Sequence, residues 1–168
     1  RWLFRYEKKT KFWLTERSHI MGRRYSVDGG DTNTDNTTII GLTSVATTRP
    51  MIYDLNFGSK AAPADNACGY ELQRYTVAGT STAVTPQALN PGDPAALASA
   101  GKAHTVEPTY TAAAILLRLT GNMRASVRWV AAPQGELMLP ATAANGVGVQ
   151  ADTPSTAFSV DFCIHYEE

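Results

Sequence analysis

From Phe158 to Tyr166 the chain alternates without interruption. Phe158, Val160, Phe162, Ile164 and Tyr166 fall on one side, and Ser159, Asp161, Cys163 and His165 on the other. A period of two sends successive side chains to opposite faces of an extended backbone, so this segment is a half-buried antiparallel strand with one dry and one wet face. Its dry face needs a second apolar layer to cover it.

The residues upstream supply that layer in the same grammar: short β-branched or aromatic runs separated by Pro, Gly and Asn clusters. Residues 37–48 and 51–57 are two such runs, split by Arg49-Pro50, and 80–85 and 146–151 are two more. Residues 70–77 (YELQRYTV) set Tyr70, Leu72 and Arg74 against Glu71, Gln73 and Tyr75. Neither face is cleanly apolar, which suits an edge or interface strand. Residues 111–119 (TAAAILLRL) form an apolar run without alternation that periodicity alone leaves open between strand and helix; Pro108 and Gly121 bound it closely and favour strand. Residues 125–131 and 137–139 read as a hairpin around Pro133-Gln134-Gly135. One short helix is expected over 94–100, with Asp93 as N-cap, Pro94 at the first helical position and Gly101 as terminator. Residues 27–36 (VDGGDTNTDN) are rich in turn formers and read as a loop. The expected fold class is all-β, an antiparallel β-sandwich or jelly-roll-like domain with one short helix. It is divided into a segment 1–20, a flexible linker 21–36 and a sandwich over 37–168.

Charge sharpens the division. Over 168 residues Lys+Arg and Asp+Glu are both 15, but residues 1–24 hold eight basic side chains against two acidic ones, so the remainder is net acidic. Overall neutrality speaks against a dedicated nucleic-acid binder. Any anion contact belongs to the arm, through Arg1, Arg5, Lys8, Lys9, Lys11 and Arg17. Met21-Gly22-Arg23-Arg24 resembles a translation start, and the residues before it read as a basic arm, a leader, or upstream residues foreign to the folded body. No apolar run approaches the roughly 18–20 residues that span a bilayer, and no secretory leader is evident, so a soluble protein with no membrane contact is expected. Cys68 and Cys163 are too few for a disulfide framework, and their pairing stays open.

Chemistry is sparse. His19, His104 and His165 have no local Asp, Glu or Cys cluster and read as surface histidines. Asp28, Asp31 and Asp35 suggest a calcium loop but lack its bidentate Glu. Gly146-Val147-Gly148 is not followed by a helix and an acidic partner, as a dinucleotide loop requires. With no nucleophile, base and orienting group nameable together, the expectation is no enzyme, no cofactor and no metal. The one basic and aromatic concentration in the body, Arg118, Arg124, Arg128 and Trp129, together with Tyr70 and Tyr75, is the candidate subunit interface. Alanine (24) and threonine (20) dominate, and only Lys60 and Lys102 follow residue 24. Such a surface loses little side-chain entropy on close packing and suits an assembly subunit.

Three stretches carry a family resemblance: TTRPMIYDLNFGSKAAPADNACGYELQRYT, TAVTPQALNPGDPAALASAGKAHTVEPTYT and RASVRWVAAPQGELMLPATAANGVGV. From about Thr47 to the C-terminus the chain resembles small virion proteins of tailed bacteriophages. The resemblance implies a β-sandwich subunit present in many copies on a particle. The chain is too short, and too poor in helix, for the usual major capsid shell. A capsid decoration (cement) protein on the virion surface is therefore expected, a homo-oligomer associating as a trimer around local symmetry axes, with a major capsid protein as partner. The alternatives are a tail-tube or head-fibre subunit, or a carbohydrate-binding β-sandwich using Tyr53, Tyr70, Tyr75, Tyr110 and Trp129.

Overall fold

The structure, a computed structural model, describes residues 22–34, 36–61, 63–152 and 157–168. The basic residues Arg1, Arg5, Lys8, Lys9, Lys11 and Arg17 lie outside the described residues, as do His19 and Asp35. Among the described residues twelve strands follow one another: β1 (Arg24–Asn33), β2 (Thr38–Thr43), β3 (Met51–Ala61), β4 (Ala67–Val77), β5 (Thr80–Val84), β6 (Gln87–Ala88), β7 (Ser99–Val106), β8 (Thr109–Asn122), β9 (Val127–Val130), β10 (Leu137–Met138), β11 (Gly146–Asp152) and β12 (Phe158–Glu167). They form two antiparallel sheets packed face to face, a β-sandwich. The first runs β10-β3-β12-β1-β6, with β9 also on β3, and the second runs β5-β7-β2-β11-β4-β8.

The C-terminal alternation does what its period demands. β12 lies between β1 and β3, and its Phe158, Val160, Phe162, Ile164 and Tyr166 are all buried. Within the first sheet Phe162 stacks on its cross-strand neighbour Phe57 of β3 at 4.9 Å between centroids, and across the interlayer Tyr70 of β4 meets both rings edge-on at 4.7 and 4.8 Å. Each ring fully removed from water contributes about 1.5–3 kcal/mol, and each such aromatic pair about 0.5–1.5 kcal/mol more. Ile40, Leu42, Leu72, Val147 and Val149 complete the second sheet's contribution to the core.

The second sheet is built around one rolled ribbon. β4 pairs with β8 and β5 with β7 in one continuous antiparallel match, with Tyr75 opposite Tyr110, Val77 opposite Thr109, Thr80 opposite Val106 and Thr82 opposite Lys102. Residues 67–122 are thus a single long hairpin whose tip docks on β1 through β6. The free side of β4 pairs with β11, the free side of β7 pairs with β2, and β2 and β11 pair with each other. The ribbon therefore bends across the outer face of β2 and β11. Gly79 (φ 71°) and Ala103 (φ 49°) supply left-handed backbone at the bend.

Glycine makes room beneath it. A Cβ at Gly146 would overlap the Tyr75 ring, and one at Gly148 would overlap the Tyr110 hydroxyl. The two rings meet edge-on, 6.2 Å apart.

Four sequence expectations are corrected. Residues 94–100 form no helix: Leu97 and Ala98 donate their backbone N–H groups to the Glu168 carboxylate (2.6 and 3.0 Å), the Tyr25 hydroxyl donates to the Pro94 carbonyl (3.1 Å), and β7 begins at Ser99. Tertiary partners thus take the groups that a helix would use, and the chain bends at Leu97 and Ala98. The linker expected over 21–36 is corrected across its described residues, since β1 runs through Asp28-Gly29-Gly30-Asp31 in full register with β12 from Arg24 to Asn33. Pairing overrides turn propensity there because Tyr25 and Val27 are buried against the core. β4 is not an edge strand but lies between β11 and β8, and register slips after Leu72 return Tyr75 to a buried position. β9 and β10 do not pair with each other as a hairpin; both pair with the long strand β3, one beyond the other.

Replacing Gly148 with Ala is expected to destabilise the fold by about 1–3 kcal/mol, because overpacking a closed site forces its neighbours aside. The double variant Gly148→Ala/Tyr110→Phe, which removes the obstructing hydroxyl, is expected to recover part of that loss in urea unfolding. Additive losses would contradict the packing described.

Candidate functional site

The wet face of β12 becomes chemical through its neighbours' register. His165 lies opposite Asp54 of β3 and Ser26 of β1, while Cys163 lies opposite Asn56 and Asp28. Residues directly opposite in an antiparallel pair share a face. Five side chains consequently form a line across the outside of the first sheet. Arg128 of β9 grips Asp54 with both arms of its guanidinium, Nε to Oδ1 at 2.9 Å and Nη2 to Oδ2 at 2.5 Å. His165 Nδ1 lies 3.4 Å from Asp54 Oδ2, and its Nε2 lies 3.5 Å from Cys163 Sγ. Ser26 Oγ closes the line, 3.4 Å from the same sulfur.

Asp54 is the anchor. It is 4% exposed, and a carboxylate so placed needs charged partners. The hydrogen bonds from Arg128 hold its carboxyl below the ordinary aspartate value; burial opposes this, and the Arg128 charge and the His165 contact assist. An ionised carboxylate accepts only, so His165 Nδ1 donates to it and leaves Nε2 as the acceptor facing the thiol. Beside the sulfur opens a cleft of about 400 Å³, bordered by Asp28, Asn56, Lys60, Lys102, Asp161 and Cys163. Among the described residues, no group of three His, Cys, Asp or Glu side chains is placed to hold a metal ion.

A second polar group sits under the ribbon bend on the opposite face of the molecule. The Thr38 hydroxyl and backbone N–H both donate to the Glu107 carboxylate, the latter at 3.0 Å; Tyr110 Oη lies 2.6 Å from Thr38 Oγ1, and His104 Nδ1 is 3.1 Å from the Thr38 carbonyl. Tyr75 Oη lies 2.6 Å from Thr43 Oγ1. Burial pushes the Tyr75 hydroxyl up to about 12, raises Tyr110 further and lowers His104. These contacts fasten the bend to β2, and the groups that make them are engaged with one another.

The residues singled out from sequence do not converge. Tyr70 and Tyr75 are buried and offer no surface to a partner. Trp129 packs half-buried against the core. Arg118 pairs with Glu71 at 2.6 Å and Asp152 at 3.5 Å on the outside of the second sheet, whereas Arg128 serves Asp54 on the first. Arg124 is exposed on the turn after β8. The five aromatic positions considered for carbohydrate likewise form no common platform, since Tyr53 lies beside His165, Tyr75 and Tyr110 are packed beneath the bend, and Tyr70 and Trp129 pack toward the core. The grouping of Cys163, His165 and Asp54 was missed. Its local half, Cys163 and His165 two apart on one strand, was visible as a shared wet face; its other half required the register of β3.

No family model matches the chain, and no curated protein and no solved structure matches it either.

Because the folded-state pKa of Asp54 is depressed, its ionised form contributes stability that is fully present above the ordinary carboxylate range and lost as pH falls through the folded value. Asp54→Asn is therefore expected to be less stable than the parent by a constant amount above about pH 5, with the gap narrowing toward about pH 3. Urea unfolding at a series of pH values checks this, and parallel curves down to the acid end would contradict it.

Proposed function

We propose that this protein is a structural subunit of a tailed-bacteriophage particle, a decoration (cement) protein that binds the outside of the capsid as a homo-oligomer, with threefold association around local symmetry axes. The reading rests on the sequence resemblance from about Thr47 onward and on one structural observation, the unpaired side of β8. β8 is the longest strand of the fold, with 14 residues, and it stands at the edge of the second sheet. Its apolar stretch includes Ile115, Leu116, Leu117 and Leu119, all half-buried, while Thr111, Ala112 and Ala113 are exposed.

A long apolar edge is a template for another strand, and natural sheets usually blunt or cover such edges. The first sheet does so: β6 has two residues, β9 four and β10 two, and the uncovered part of β1 carries Asp28 and Asp31. β5, the other edge of the second sheet, has five residues. Among the edge strands of the described residues, β8 alone combines length with apolar character, which fits a strand meant to meet another copy or the shell. Val77, Leu97, Val106 and Val130 add exposed apolar surface. This role calls for no catalysis and no cofactor.

Light scattering on the purified protein is expected to give a trimer mass, and the protein is expected to co-sediment with heads of the phage that encodes it. Ile115→Lys places a charge on the β8 edge at a residue outside the buried core, and should yield a folded monomer that no longer binds heads. Rings or tubes would transfer the assignment to a tail component. A wild-type monomer indifferent to particles would overturn the proposal.

A further inference from the structure

Cys163, His165 and Asp54 stand in the relation of nucleophile, base and orienter: the sulfur faces Nε2 at 3.5 Å, and Nδ1 faces a buried carboxylate at 3.4 Å. The carboxylate is itself locked by the paired bonds from Arg128. Ser26 adds a hydroxyl 3.4 Å from the sulfur, able to donate to a thiolate. The cleft of about 400 Å³ gives a small molecule access to Cys163, which is only half-buried. The other cysteine differs: Cys68 is buried, its thiol lies 3.6 Å from the Gly121 carbonyl, and burial pushes its thiol up.

We propose that Cys163 is a nucleophilic thiol, deprotonated by the His165 that Asp54 orients, and the position at which a low-molecular-weight disulfide forms a mixed disulfide with this protein. In the step, the Cys163 proton passes to His165 Nε2 and the sulfur attacks one sulfur of the reagent. The new S–S bond forms as the reagent's S–S bond breaks. The departing thiolate carries off the bonding electron pair and takes the proton from the imidazolium. The protein thiol is oxidised, and the reagent disulfide is reduced to one mixed-disulfide half and one free thiol. Cys163 is the reacting group, His165 the base and Asp54 a positioning residue.

The charges around the sulfur come from every neighbouring strand. Asp28 on β1 and Asp161 on β12 oppose a thiolate. Lys60 and Lys102 at the cleft rim favour it, although Lys60 is paired with Asp161 at 3.2 Å. Near the imidazole are Asp54, Arg128 and Tyr53, whose ring lies beneath Arg24. With the rim so balanced, His165 is the group that decides the state of the thiol.

The test uses 4,4′-dithiodipyridine on the full chain, followed by the absorbance of released thiopyridone across pH, with peptide mass mapping of the modified cysteine. At about pH 6.5 native Cys163 is expected to react about fivefold faster than the same thiol in the urea-unfolded chain, because His165 Nε2 is placed to take its proton as the sulfur attacks. Cys163→Ser should remove this phase and leave only slow Cys68. His165→Gln should return the rate to the unfolded-chain value and move the pH midpoint upward. Asp54→Asn should move the midpoint in the same direction, which loss of packing alone would not do. Glutathione disulfide at neutral pH should then add a single mixed disulfide at Cys163. A native rate no faster than the unfolded one, a pH profile unchanged in His165→Gln, or modification mapped to Cys68 would each overturn the proposal.

Discussion

The ribbon of residues 67–122 reaches both β11 and β2 only by bending across their outer face, and the bend is possible because Gly146 and Gly148 beneath it carry no side chain. Tyr75 and Tyr110 occupy that space and hand their hydroxyls to Thr43 and Thr38. Glu107 then takes the Thr38 backbone N–H where the chain crosses from β7 to β8. Each tyrosine thus combines a large apolar contact with a satisfied polar end, the arrangement in which a buried phenol stabilises. Rolling the ribbon engages the second side of β4 and of β7. It leaves β5 and β8 with one side each unpaired, so the same constraint that closes the sandwich creates its long open edge.

The outside of the first sheet shows a different economy. Asp54, Arg128, His165, Cys163 and Ser26 come from four strands, and no two of those strands are consecutive in sequence. The core beneath is continuous and apolar, with Phe162 and Phe57 fixing β12 on β3. That fixed register sets the spacing between imidazole and carboxylate. The unpaired edge of β8 belongs to the second sheet and the oriented thiol to the outer face of the first.

The strands with a strong period were legible from the chain alone. β12 follows its alternation residue by residue, and β3, β5, β8 and β11 fall where apolar runs lie between turn formers. What misled was local chemistry outvoted by distant partners. Asp93-Pro94 followed by Gly101 is sound helix punctuation, yet the Glu168 carboxylate, some seventy residues away, claims the N–H groups of Leu97 and Ala98. Asp28-Gly29-Gly30-Asp31 carries every mark of a loop, but β12 offers it an unbroken ladder. Tyr75 looked available because an alternation containing Arg74 and Glu71 conceals the slips of register after Leu72. The thiol, imidazole and carboxylate line was half legible, since period two places Cys163 and His165 together; Asp54 joins them through pairing that no local pattern encodes.

The unpaired side of β8 as the assembly edge is the central claim, and amide hydrogen exchange resolved along residues 109–122 tests it most directly. In dilute protein the amides of β8 that face away from β4 should exchange quickly, and they should become protected when the protein is concentrated or mixed with phage heads, while protection in β12 stays constant. Protection of β8 that is already complete in the dilute monomer, or that does not change on assembly, would contradict it.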